Sequence, residues 1–166
     1  MTPRERRERL FKRSRPYIRP FEPKDMGWLW TAYKSGSFKF RDAMSQEEFA
    51  EHMMIALGHQ KSYLVEDHNS KFQSGIGPVA LIGVMTDGFK IEPAFAVFKW
   101  ASPRNVLRVF VAFFQWVKSS REIGVCEIRA PSKESRILKK MVDYGVLFPK
   151  ATEIIFSVMG KKRKER

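Results

Sequence analysis

Glu92 is the side chain in this sequence whose type and position best suit acid–base chemistry. It lies near the start of IEPAF, where apolar and aromatic residues predict a central β-strand. A carboxylate partly buried in a sheet crevice has its pKa raised toward neutrality, which suits it to take a proton from an ammonium group. The alternative is an exposed strand-edge glutamate beside Pro93. Glu127, on a later predicted strand, is a second candidate base.

Positive charge is concentrated at the two ends of the chain. The 166 residues carry 31 Lys and Arg against 18 Asp and Glu, a formal net charge of +13, of which residues 1–19 hold +6 and residues 161–166 hold +4. Such ends can neutralise nucleic-acid phosphates or engage a protein partner, whereas the alternative for KKRKER is a solubilising tail. The candidate nucleic-acid contacts are Arg4, Arg6, Arg7, Arg9, Lys12, Arg13, Lys161, Lys162, Arg163 and Lys164.

Several classes of protein are excluded by what the sequence contains. A single cysteine, Cys126, cannot close an intramolecular disulfide, and by strand alternation it is most simply a small core residue. Three scattered histidines provide no ligand set for a metal. The longest apolar stretch, residues 106–117, contains Arg108 and is too short for a membrane span, and the charged N-terminus lacks a secretory signal. We therefore expect a soluble cytoplasmic protein without a metal.

The elements that must position these residues alternate between strands and helices. Residues 1–16 predict a mobile arm or a short surface helix. Asp25 is positioned to cap the helix that begins at Met26, and Ser45 with Glu48 has capping-box spacing. From residue 17 the predicted order is β, α, α, β, β, β, α, β, α, β, with a turn at Asp87-Gly88 joining the two central strands. The sheet should be antiparallel on one side and parallel after the long helix.

The helix that begins near residue 103 is the strongest helix signal in the chain. Ser102 is a good N-cap, and Pro103 suits the first helical position, where its missing N–H is not needed. The segment that follows, to about residue 120, is apolar almost all round and predicts a buried helix.

This order, with a long buried helix entered directly from a long central strand, resembles the GNAT superfamily of acetyl-CoA-dependent N-acetyltransferases. The resemblance covers residues 17–159, and YIRPFEPKDMGWLW is similar to the usual GNAT start. The run DGFKIEPAFAVFKWASPRNVLRVFVAFF more narrowly resembles GNAT-like proteins of tailed bacteriophages. The implied fold is a single α/β (α+β) domain over residues 17–160, with a mixed central sheet of about six to seven strands and about four helices. Residues 1–16 and 161–166 would flank it as a basic arm and a basic tail.

The resemblance implies a coenzyme A site where the central strand enters the long helix. In the family, a loop of the form Q/R-x-x-G-x-G/A binds the pyrophosphate through backbone N–H groups, whereas the matching segment here has no glycine. The helix dipole with Arg104 and Arg108 still favours an anion, and the alternative is that both arginines extend into solvent. The implied cofactor contacts are Trp100, Ala101, Ser102, Arg104, Asn105 and Arg108.

The family's usual catalytic tyrosine is absent from the matching position. The motif Asn…Tyr-x-x-x-Gly-Phe, aligned on Gly145, places Met141 where the tyrosine would be and residues 132–134 where the asparagine would be. Tyr144 lies nearby and is the substitute candidate acid, and the alternative is that it packs.

Two functions follow from the resemblance. The first is an acetyl-CoA-dependent N-acyltransferase with an altered pyrophosphate loop and Glu92 as base. The second is a non-catalytic GNAT-like phage protein, virion-associated or regulatory, that binds nucleic acid or a phage or host protein through its basic ends. It would act in the host cytoplasm or the virion.

Overall fold

The computed structural model describes residues 1–40, 42–67, 77–124, 127–130, 135–150 and 155–158. Within them the chain forms five α-helices and seven β-strands. The helices are α1 (Pro3–Leu10), α2 (Met26–Lys34), α3 (Gln46–Gly58), α4 (Pro103–Ser119) and α5 (Arg136–Asp143). The strands are β1 (Tyr17–Pro20), β2 (Lys61–Glu66), β3 (Pro78–Asp87), β4 (Lys90–Val97), β5 (Glu127–Arg129), β6 (Phe148–Pro149) and β7 (Ile155–Ser157).

All seven strands belong to one mixed sheet, in the order β1-β2-β3-β4-β5-β7-β6. Strands β1, β2 and β3 pair antiparallel, as do β5 with β7 and β6 with β7. Strand β4 pairs parallel with β5, which is the arrangement expected after a helical crossover. The predicted fold class is confirmed, and β6 is a short strand that the sequence did not predict.

The chain divides into two compact units, which share β3, β4 and α4. The first comprises Met1–Arg15, Met85–Pro93 and Leu107–Arg166, and the second comprises Pro16–Val84 and Ala94–Val106. The second unit contains a core of aliphatic residues around the rings of Phe49 and Phe98, onto which Trp30 and Tyr33 pack.

The local start signals are confirmed at α3 but not at α2. The Ser45 hydroxyl accepts from the Glu48 N–H at 3.2 Å, and the Glu48 carboxylate accepts from the Ser45 N–H at 3.0 Å. Asp25 stands at the N-cap of α2, but its side chain makes no cap bond to that helix because it is bound to Arg19 instead. The expected turn between β3 and β4 is present, with Gly88 at a φ of +59°.

Helix α4 is as buried as its composition predicts. Val109, Val111, Phe113, Phe114 and Val117 are each at most 1% exposed. No helix of the described residues is long and apolar enough to cross a membrane.

Candidate functional site at the start of helix α4

The start of α4 is closed by a reciprocal capping box. The Asn105 N–H donates to Ser102 Oγ at 3.1 Å, and the Ser102 N–H donates to Asn105 Oδ1 at 3.0 Å. The Ser102 hydroxyl also donates to Asn105 Oδ1 at 2.8 Å. The capping box thus occupies the N–H groups of Ser102 and Asn105, and Pro103 has no N–H. Among the described residues, the backbone N–H of this turn that has no protein partner is that of Arg104.

A buried carboxylate lies next to this capping box. Asn105 Nδ2 donates to Asp67 Oδ2 at 3.0 Å, and neither residue is more than 1% exposed. The carboxyl group of Asp67 thus lies one hydrogen bond from the start of α4, where the helix dipole would otherwise favour a bound phosphate. Sequence reasoning missed Asp67; its one signal was an acidic residue directly after an apolar strand.

The turn before α4 is held by its own contacts. Trp100 Nε1 donates to the Pro78 carbonyl at 2.9 Å, and the Trp100 ring lies 5.0 Å from the Phe98 ring. The Ala101 N–H donates to the Phe98 carbonyl at 2.9 Å, which closes a tight turn. The structure therefore places Trp100, Ala101, Ser102 and Asn105 together, and each has a structural contact.

The two arginines of the predicted anion site differ in their environment. Arg104 is exposed. Arg108 is only 1% exposed, and its guanidinium donates to the Leu10 carbonyl and, at 2.8 Å, to the Ser14 carbonyl. Arg108 therefore does not extend into solvent; it binds the N-terminal segment.

The candidate bases lie where β4 and β5 pair. Their parallel pairing joins Lys90 to Glu127 and Ile91 to Ile128. Pro93 follows in β4 and has no N–H to continue a ladder. Glu127 is half-buried and forms an ion pair with Lys150 at 3.2 Å.

Glu92 is exposed, so the partial burial expected of it is not observed. It lines an open cleft of about 220 Å³ together with Asp87, Lys90 and Arg129. Asp87 and Arg129 approach each other to 3.6 Å across this cleft. Glu92 therefore lies in a cleft that contains charges of both signs.

Tyr144 is the C-cap residue of α5, and its backbone carbonyl accepts a hydrogen bond from Arg7. Its side chain is half-buried. Met141, at the family's tyrosine position, is completely buried. Residues 132–134, Cys126 and the basic residues 161–164 lie outside the described residues.

A second polar cluster, which sequence reasoning did not find, joins β1 to the start of α2. Arg19 binds Asp25 through two hydrogen bonds of 2.7 and 2.8 Å, and Glu66 lies 3.4 Å from the same guanidinium. Asp25 is 3% exposed and also accepts from the Glu22 N–H at 3.0 Å. The hydrogen bonds from Arg19 hold the pKa of Asp25 below its ordinary value, and those to Asp25 raise the pKa of Arg19.

Comparison with known proteins identifies the fold. No protein-family model matches the sequence, and no curated protein matches it. Among solved structures, the ribosomal L7/L12 alpha-N-protein acetyltransferase RimL in complex with coenzyme A matches at 10% identity and a TM-score of 0.57, covering 86% of this chain and 93% of that chain. A chimera of the spermidine N-acetyltransferase SpeG from Vibrio cholerae matches at 10% identity and 0.54, with coverages of 87% and 93%. A GNAT-family acetyltransferase from Bacillus anthracis matches at 16% identity and 0.53, with the same coverages. The chain therefore has the fold of the GNAT acetyltransferases.

Among the described residues, no group of three or more His, Cys, Asp or Glu side chains is arranged to hold a metal ion.

Proposed function

We propose that this chain is an N-acyltransferase that takes its acyl group from acetyl-CoA. The observation that carries the proposal is the fold, a mixed seven-stranded sheet in which β4 leads into the buried helix α4, shared with acetyltransferases that include one in complex with coenzyme A. Fold alone supports a reaction class and does not select an acceptor.

The start of α4 does not fit the family's glycine-loop mode of pyrophosphate binding. The capping box occupies two of its backbone donors, a proline removes a third, and the buried carboxyl group of Asp67 lies next to the capping box. Among the predicted cofactor contacts, Arg104 supports the proposal best. Its side chain is exposed, and its backbone N–H has no protein partner among the described residues. We therefore expect coenzyme A to bind more weakly than to a glycine loop, with Arg104 as the principal phosphate contact.

Acyl transfer to an ammonium group forms an amide bond and breaks the thioester C–S bond; the nitrogen loses two protons, one that is removed before attack and one that balances the thiol formed on coenzyme A. Glu92 is proposed to accept the proton that is removed before attack, because its exposed carboxylate lines an open cleft that an amine can enter. Lys90 and Arg129 in the same cleft would favour an acceptor that also carries an anionic group. We propose that Tyr144 donates a proton to the departing thiolate.

The proposal is tested by ligand-dependent stability and by thiol release. Acetyl-CoA at about 1 mM should raise the melting temperature, because a ligand that binds only the folded state stabilises it by mass action. With a panel of primary amines, thiol release should be detectable and should fall about 100-fold in Glu92→Gln. Glu47→Gln, which removes an exposed carboxylate from α3, is the matched control and should leave the rate unchanged. A melting temperature that does not respond to acetyl-CoA would contradict the proposal, as would equal rates in the two variants.

The second candidate is a non-catalytic GNAT-fold protein, and the closed capping box favours it. If the donors at the start of α4 serve only the helix, the fold acts as a scaffold for binding a partner. The resemblance of residues 87–114 to GNAT-like phage proteins supports a role in a virion or in the host cytoplasm for this candidate. No response to acetyl-CoA together with retained binding of a partner would favour it over the first.

A further inference from the structure

The N-terminal arm, defined here as Met1–Arg15, is anchored to the first unit by a buried arginine. The guanidinium of Arg108 donates to the Leu10 carbonyl and to both the carbonyl and the hydroxyl of Ser14, the latter two at 2.8 and 3.1 Å. It also lies 5.6 Å from the centre of the Phe11 ring. A buried cation with three oxygen acceptors is costly to unpair, so these contacts fix the end of the arm.

A second anchor holds the beginning of the arm. Arg7 donates to the Tyr144 carbonyl at the end of α5. A Cβ placed on Gly145 would come within 2.8 Å of Pro3 Cβ and 2.9 Å of Arg7 Nη1, which shows how closely α1 approaches this turn. The arm is therefore a structured part of the first unit.

The cations of the arm fall into two groups, those that line a cleft and those that do not. Arg4, Arg7 and Arg15 line a cleft of about 460 Å³ together with Glu8, Phe11 and Gln115 of α4. The others are exposed and do not line this cleft: Arg6, Arg9, Lys12 and Arg13.

Each guanidinium that lines the cleft is held by a neighbour. Arg4 forms an ion pair with Glu8 at 2.8 Å, Arg15 lies 5.0 Å from the centre of the Phe11 ring, and Arg7 is bound to the carbonyl at the end of α5. Of the three, Arg7 is half-buried and the most restrained, whereas Arg4 and Arg15 are exposed to solvent, where a ligand can reach them.

We propose that this cleft binds the phosphodiester backbone of single-stranded nucleic acid. Three guanidiniums against one carboxylate give it net positive charge, and the planar guanidinium matches phosphate oxygens in pairs. The four cations outside the cleft extend the positive field along a chain of phosphates, which favours an extended polyanion over a single small one. Phe11 and the guanidinium of Arg15 in the same cleft are planar groups on which an unpaired base can stack, whereas the bases of a duplex are already stacked on each other.

The amide of Gln115 also favours a bound molecule. Its Oε1 is buried and has no hydrogen-bond partner among the described residues, and an unpaired buried oxygen is energetically costly. A ring N–H of a nucleobase on the bound strand, such as N3–H of thymine, would supply the missing donor. This inference does not depend on the proposed acyl transfer.

The test compares two triple variants that lose the same charge from the same arm. One is Arg4→Gln with Arg7→Gln and Arg15→Gln, and its control is Arg6→Gln with Arg9→Gln and Arg13→Gln. Binding to a fluorescein-labelled oligodeoxythymidine of about 20 nucleotides is followed by anisotropy between about 50 and 200 mM NaCl. We expect the cleft variant to bind at least about tenfold more weakly than the control. The dependence of its binding constant on salt concentration should also be reduced more than that of the control.

A further variant tests the proposal even if the triple variant of the cleft residues fails to fold. Arg4→Lys with Arg15→Lys keeps every charge and both anchors, and should still weaken binding because a lysine cannot bind phosphate with two parallel N–H groups. Equal losses in the two triple variants would overturn the proposal, because the charge of the arm would then act diffusely. Absence of salt-dependent binding by the unaltered chain would also overturn it, as would equal affinity for the corresponding duplex.

Discussion

At the scale of the residue, Asp25 makes a contribution to stability that depends on pH. Its pKa is lowered first by the hydrogen bonds from Arg19 and then by the Glu22 N–H, against the opposing effect of burial. Because the folded pKa lies below that of about 3.9 for an unfolded aspartate, the stabilisation is present above about pH 4 and is lost as the pH falls through the folded pKa.

Asp25→Asn should remove this dependence and destabilise the protein at pH 7. The amide cannot form an ion pair with the guanidinium, whose side chain is only 19% exposed; because Glu66 still lies 3.4 Å from it, we expect a loss of about 1 to 3 kcal/mol. Urea unfolding at several pH values between 3 and 7 measures both effects, with the exposed Asp42→Asn as control. Parallel stability curves for the two variants would show that the Asp25 carboxylate does not carry the dependence.

The capping box at α4 predicts an asymmetry between its two members. Ser102→Ala should cost about 1 kcal/mol, the usual cost of losing an N-cap side chain. Asn105→Ala should cost more, by about 1 to 3 kcal/mol, because it also removes the amide that donates to the buried carboxylate of Asp67. Chemical denaturation of the two variants gives the comparison, and equal losses would mean that the hydrogen bond from Asn105 to Asp67 adds nothing to stability.

At the scale of the element, packing of α1 against the end of α5 is tested by a pair of glycines. Gly145 and Gly124 both have positive φ, +67° and +62°, so alanine is strained at either position. An alanine Cβ at Gly124 meets nothing within 4 Å, whereas at Gly145 it would collide with Pro3 and Arg7. Gly145→Ala should therefore lower the melting temperature more than Gly124→Ala, and the excess should vanish when residues 1–15 are deleted. An excess that survives the deletion would place the collision elsewhere.

Elements were predictable where their signals are local. The spacing of Ser45 and Glu48, the Asp-Gly turn and the apolar helix that follows Pro103 each gave the observed element. For residues 1–16 the sequence predicts either a mobile arm or a short helix, yet Thr2 and Glu5 carry the same capping-box spacing. The structure shows both reciprocal bonds there, at 3.1 and 2.6 Å.

At the scale of the whole molecule, the sequence predicted the order of elements and the mixed sheet but not the partners of its polar side chains. Asp67 meets Asn105 across 38 residues, and Arg108 meets Leu10 across 98. Neither contact has a periodicity or a motif that a single sequence displays, because such pairs depend on tertiary packing. The candidate site differs most from expectation for this reason: Arg108, one of the two arginines predicted to bind an anion, binds the arm instead, and residues of the arm line a cleft that the sequence did not predict.

The anchoring of the N-terminal arm has a consequence for biosynthesis. The arm leaves the ribosome before the segments that anchor it, because its carbonyls meet Arg108 94 to 98 residues later and Arg7 meets Tyr144 137 residues along the chain. Contacts between segments so distant in sequence form late, since the intervening chain must be closed into a loop. Until the end of α5 has emerged, the cationic arm of the nascent chain lacks its anchors and is exposed to any polyanion nearby, the ribosomal RNA included.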